Sequence, residues 1–109
     1  MAYPKRITID AARTVAFGGI GAAYAAVGGA VATAARIVIL NNLTDQTLWI
    51  SADGVNDQFI LPAGGFKLID VSANRTTVEN YFIPEGTVFY VRHAGVAPTS
   101  GSVYVEILR

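Results

Sequence analysis

Two clusters of turn residues cut the chain between Gln46 and Val71 into three short runs. This punctuation limits the possible folds more than any other feature. Gln46–Ala52 alternates, with Leu48 and Ile50 on one side and Thr47, Trp49 and Ser51 on the other. That is the period of a strand with one buried face. Asp53-Gly54 comes next, a pair that tolerates positive φ and predicts a tight hairpin turn. Phe59-Ile60-Leu61 is a compact apolar run that Pro62 ends, because proline has no N–H to give to a sheet. Ala63-Gly64-Gly65 turns the chain again, and Phe66–Val71 returns. The three runs predict a meander within one antiparallel sheet, with one face that needs a second layer.

The same grammar continues elsewhere. Arg36–Leu40 is a dense β-branched run and predicts a buried central strand. Tyr81–Ile83 is short and stops at Pro84; Thr87–Arg92 sets Val88 and Tyr90 against Phe89 and Val91. Ser102–Leu108 puts Val103, Val105 and Ile107 on one face and Tyr104, Glu106 and Leu108 on the other. Short strands with turn signals between them predict an all-β fold, a single jelly-roll-like sandwich of about eight antiparallel strands. Its expected core is Ile37, Ile39, Leu48, Ile50, Phe59, Leu61, Leu68, Phe89, Val91, Val103 and Val105. A chain of 109 residues supports one such core and not two. With 52% hydrophobic and 15% charged residues, the chain is not of the disordered class.

Residues 14–35 are ambiguous. No charge occurs between Arg13 and Arg36, and Phe17, Ile20, Tyr24, Val27 and Val31 have helical spacing. The uncharged run also has the length of a membrane span. Gly18, Gly19, Gly21, Gly28 and Gly29 oppose both readings, at roughly 1 kcal/mol each in a helix interior. The alternative is two short strands, Thr14–Phe17 and Ala22–Val27, with the glycine pairs as turns or bulges.

Residues 1–13 read as an N-terminal arm ahead of a sandwich domain at 14–109. The arm holds Lys5, Arg6 and Arg13 against Asp10 alone. A cleaved leader would also begin basic, but here the apolar run comes late and is broken by glycine. Tyr3, Lys5, Arg6, Ile7 and Ile9 are the candidate partner-binding residues. Their mix of alternating apolar and basic side chains suits an extended segment laid on a neighbouring subunit.

Reaction chemistry has little support. His93 is the one histidine, and no nucleophile-elbow motif accompanies the grouping of Ser51 or Ser102 with His93 and Asp70. There is no cysteine, which excludes disulfides, thiolate metal sites and thiol catalysis. Asp53, Asn56 and Asp57 could hold Ca²⁺ or a sugar, but the EF-hand spacing is missing and turns select these residue types. Gly19-Ile20-Gly21 lacks the third glycine of a dinucleotide fingerprint, since Tyr24 stands there. Tyr3, Tyr24, Trp49, Tyr81, Tyr90 and Tyr104 read as core or interface filler before they read as a ligand platform. Eight basic and eight acidic side chains balance, so no basic excess points to nucleic acid. Zero net charge favours association. No enzyme activity, cofactor or metal is expected.

One longer pattern remains. Ile50-Ser51-Ala52-Asp53-Gly54-Val55-Asn56-Asp57 is followed by Leu61-Pro62-Ala63-Gly64, then by Gly86-Thr87-Val88-Phe89-Tyr90-Val91-Arg92, then by Pro98-Thr99-Ser100-Gly101-Ser102-Val103-Tyr104. In this order, over residues 36–109 and more weakly at Tyr24–Gly28, the chain resembles small β-rich virion proteins of tailed bacteriophages. The resemblance implies strands within 14–35, although the alanine and glycine content there departs from the usual pattern. It implies a non-enzymatic structural role in a virion assembled in the bacterial cytoplasm. The expected part is a capsid cement or decoration protein on the major capsid protein shell, acting as a homo-oligomer. A neck, collar or tail ring component is the alternative, and a carbohydrate- or calcium-binding module a further one.

Overall fold

Strands form where the sequence alternates, and they build two four-stranded antiparallel sheets packed face to face. The computed structural model describes residues 9–32, 35–70, 83 and 85–108. In chain order the strands are β1 (Arg13–Ala16), β2 (Ala25–Ala26), β3 (Ile37–Asn42), β4 (Leu48–Ser51), β5 (Phe59–Leu61), β6 (Phe66–Asp70), β7 (Tyr90–His93) and β8 (Ser102–Leu108). One sheet has the order β1-β8-β3-β6 and the other β2-β7-β4-β5. First pairs with last throughout: β1 with β8, β2 with β7, β3 with β6, β4 with β5. Such a nested hairpin, rolled so that β3 also meets β8 and β4 meets β7, is a jelly roll.

The meander expected of Gln46–Val71 does not form. β4 and β5 are a hairpin, but the turn at Pro62–Gly65 carries the chain to the opposite sheet, where β6 pairs with β3. That turn closes with Gly65 N–H donating to Pro62 O at 2.8 Å, and Gly64 sits at φ +74°. It is sharp enough to span the two layers. The turn at Asp53-Gly54 is also not a two-residue hairpin: Ile50 pairs with Phe59, which leaves a loop over residues 52–58.

The core differs from expectation in the phase of two strands. Val38 and Leu40 are buried where Ile37 and Ile39 were expected, and Leu68 lies outside, 56% exposed. In the RIVIL run both faces are apolar, so alternation cannot choose between them. The register settles it: Val38 opposes Ile69 and Ile107, both on the inner side, and Ile39 opposes Leu68 and Glu106 on the outer. The phases of β4, β7 and β8 match expectation, with Leu48, Ile50, Phe89, Val91, Val103, Val105 and Ile107 buried. Phe59 is partly buried against this cluster.

Within 14–35 the strand reading holds in shortened form, as β1, a single 3₁₀ turn at Phe17–Gly19 and the two-residue β2. Among the described residues no helix is long and apolar enough to cross a membrane. Ile20, Val27 and Val31 are buried in the core, whereas Phe17 is exposed. Their helical spacing therefore comes from loop segments dipping into the sandwich. Tyr81, Phe82 and Pro84 of the expected strand at 81–83 lie outside the described residues; Ile83 bridges to Ala35. Arg13, counted in the arm, is the first residue of β1, and its guanidinium donates to Gly29 O at 3.0 Å and Ala30 O at 3.2 Å.

One buried polar residue holds two of the crossings between sheets. Asn42, at the end of β3, is fully buried. Its Nδ2 donates to Gln46 O at 2.9 Å, Leu61 O at 2.9 Å and Pro62 O at 3.1 Å. Its Oδ1 accepts from Thr44 N–H at 3.0 Å and the Thr44 hydroxyl at 2.6 Å. The carbonyls of both the β3–β4 and β5–β6 connections are thus satisfied by one side chain. Asn42→Ala strands these groups away from water, and each stranded group costs about 1–3 kcal/mol. The expected loss of stability is about 3 kcal/mol or more, read as a lower urea midpoint at unchanged slope. A loss below about 1 kcal/mol would show that other donors replace it.

Candidate functional site

Of the candidate partner-binding residues, Tyr3, Lys5, Arg6 and Ile7 lie outside the described residues. Ile9 is 70% exposed and bridges to Leu108, and Asp10 N–H donates to Ile107 O at 3.0 Å. Residues 9 and 10 thus already run along the end of β8, ahead of β1.

Beside that point lies the outer face of the β1-β8-β3-β6 sheet. The register places Ile37, Ile39 and Asn41 of β3 between Tyr104, Glu106 and Leu108 of β8 and Phe66, Leu68 and Asp70 of β6. Phe66 is 67% exposed. At the centre Asn41 Nδ2 donates to Glu106 Oε1 at 2.6 Å. The face is apolar with acidic residues in it, and among the described residues no strand lysine or arginine shares it. Leu68, Ile37 and Ile39 were assigned to the core on sequence. The parity of Asp70 with Leu68 and Phe66 was the available signal that this side of β6 faces outward.

On the outer face of the opposite sheet Ile60 is 45% exposed, and a loop is tied down at one end of it. Arg92 on β7 lies opposite Trp49, which in turn pairs with Ile60. From the loop at 52–58, Asp57 reaches the Arg92 end of this row. Asp57 accepts from Arg92 Nε at 2.9 Å, from Arg92 Nη2 and from the Tyr24 hydroxyl. The Arg92 guanidinium stands 5.5 Å from the Tyr24 ring centroid. The Arg92 hydrogen bonds, then Tyr24, hold the Asp57 carboxyl below the usual range. Burial, then the bond to Asp57, pushes the Tyr24 hydroxyl up. Inside the loop, Asp53 accepts from the Ser51 hydroxyl at 2.6 Å, Val55 N–H at 2.8 Å, Asn56 N–H at 2.9 Å and Asn56 Nδ2 at 2.8 Å. The Ser51 bond and those backbone donors draw its carboxyl strongly down.

The oxygens of Asp53 and Asp57 are taken up by donors within the chain, so the loop offers no preformed carboxylate cage for calcium. Among the described residues no group of three or more His, Asp or Glu could hold a metal ion. Ser102 and Asp70 belong to one sheet and His93 to the other, while Ser51 pairs with Tyr90, three positions along β7 from His93. His93 Nδ1 accepts from Gly95 N–H at 3.1 Å. The structure does not bring the suggested triad together. Comparison with protein-family models, with curated proteins and with solved structures finds no match.

Two outcomes are expected of the loop. Gly54 sits at φ +75°, and a Cβ there would stand 3.3 Å from the Tyr90 ring. Gly54→Val should therefore cost about 1–2 kcal/mol, the penalty for a side chain in the left-handed region, with more for β-branching. An unchanged melting temperature would contradict this placement. Asp53 and Asp57 have depressed pKa values in the folded state. Their stabilisation is complete above the unfolded carboxyl value of about 3.9 and is lost as pH falls toward the folded-state values. Melting temperature should fall with acidification below about pH 4, and Asp53→Asn or Asp57→Asn should flatten that fall.

Proposed function

We propose that this chain is a non-enzymatic structural subunit of a tailed-phage virion, a cement or decoration protein bound to the major capsid protein shell. The observation that carries the reading is the apolar outer face of the β1-β8-β3-β6 sheet, with Phe66 and Leu68 more than half exposed. Contiguous apolar surface on a solvent-facing sheet marks an interaction site. The ordered turn and strand motifs from Ile50 to Tyr104 support a virion role. The jelly roll is compatible with it, since viral capsid proteins use this architecture; lectins and cupins do as well, so the fold alone decides nothing. Zero net charge suits a chain that works packed among others.

The test is incorporation into particles. Phe66→Ser with Leu68→Ser should fold, because neither side chain belongs to the core, and should be lost from purified particles. Incorporation of this variant at the wild-type level would remove the face from the argument. Absence of the wild-type chain from particles would remove the virion reading itself. Many copies spread over the shell are expected; a few copies at one vertex would make the chain a neck or collar component instead.

A further inference from the structure

We propose that Asp53-Gly54 is a latent isomerisation site, kept closed in the folded protein by the Ser51 hydroxyl and by the donors of its own loop. Aspartate followed by glycine is open to this reaction because glycine sets no side chain beside its amide nitrogen. The Gly54 nitrogen attacks Cγ of the neutral Asp53 carboxyl. A C–N bond forms, and the carboxyl OH leaves with the amide proton as water. Water then adds to the main-chain carbonyl carbon of Asp53, and the original C–N bond to Gly54 breaks. The chain now runs on through Cβ and Cγ, and the former main-chain carbonyl is a free carboxyl. The water lost is regained, so the isoaspartyl product has unchanged mass.

The loop needs both residues of the pair. Gly54 sits at φ +75°, with the Tyr90 ring 3.3 Å from where a Cβ would stand. Asp53 accepts from Ser51, Val55 and Asn56, and at 3.5 Å from Gln58 Nε2. Asp53 is also exposed, so burial does not shield it from the reaction. Hydrogen bonding does. Gly54 N–H donates to Ser51 Oγ at 3.0 Å, and Asp53 N–H donates to the same oxygen at 3.2 Å. Ser51 is fully buried on β4, so the reacting amide is anchored to the sheet. Asp53 Oδ1 is held by the N–H groups of Val55 and Asn56, and Cγ cannot turn onto the Gly54 nitrogen while those bonds last. The same donors keep the carboxyl ionised, and a carboxylate resists a nucleophile. Isomerisation would lengthen the main chain and move the carboxylate off the side chain. Val55 and Asn56 would lose their acceptor, and Asp57 would be loosened from Arg92 and Tyr24.

The full chain is held at mildly acidic pH, once folded and once unfolded in guanidinium chloride. Trypsin then releases residues 37–67 as one peptide, in which electron-transfer fragmentation distinguishes isoaspartate from aspartate at position 53. Asp45 and Asp57, each followed by glutamine in that peptide, serve as internal standards. Position 53 of the folded protein is expected to isomerise at least about tenfold more slowly than that of the unfolded chain, because hydrogen bonds must break before attack. Folded Ser51→Ala frees the Gly54 amide and should recover about tenfold in rate. Equal rates in folded and unfolded wild type overturn the proposal. So does a folded Ser51→Ala protein that isomerises no faster than wild type. If circular dichroism shows Ser51→Ala unfolded, the exposed Asn56→Ala replaces it, since that change removes only the Nδ2 bond to Asp53. A rate above wild type then supports the proposal, and an unchanged rate overturns it.

Discussion

A single buried amide, that of Asn42, serves two of the sandwich's crossings. A jelly roll must pass its chain repeatedly between two layers, and each passage leaves backbone carbonyls at the edge of an apolar core. Asn42 supplies both donor and acceptor at the point where β3 leaves for β4 and β5 leaves for β6. Its own backbone N–H donates to Gly65 O at 2.8 Å, which ties the second crossing to the first. The neighbouring chain is just as constrained. At Gly101, φ is +87° and a Cβ would lie 2.0 Å from Leu43 O, so only glycine lets the segment before β8 close on this corner.

The two outer faces then differ in their surroundings for a local reason. On the β2-β7-β4-β5 sheet, Asp57 of the loop at 52–58 binds Arg92 and Tyr24. The Arg92–Asp57 pair is partly exposed and adds little to global stability by itself. Its effect is to fix where the loop lies. On the β1-β8-β3-β6 sheet the β6 side chains Phe66 and Leu68 stay exposed. On the first sheet Ile60 is 45% exposed, so the two faces differ in degree.

Strand existence was legible wherever apolar and polar residues alternate. β8 agrees with its expected span, and β4 and β7 agree in phase, because Trp49, Arg92 and Glu106 mark the outward side. β3 was legible as a strand but not in phase. Ile37, Val38, Ile39 and Leu40 suit either face, and Asn41-Asn42 offers the same side chain to both. Asn42 went inward because two sets of crossing carbonyls needed it there, a demand no local pattern expresses. The site was less legible. Asp57 is 35 positions from Arg92 and 33 from Tyr24, so their grouping exists only after β2 and β7 have paired.

What the sequence by itself determined is the class: short strands, glycine and proline turns, one core and an uncharged segment too rich in glycine to persist as a helix. These follow from backbone sterics and side-chain period, which act within a few residues. The tertiary structure decided which strand entered which sheet, which side of β3 and β6 faced inward, and which apolar side chains remained outside. Those choices rest on register and buried hydrogen bonding between segments far apart in the chain. They are properties of the packed layers, not of any strand alone.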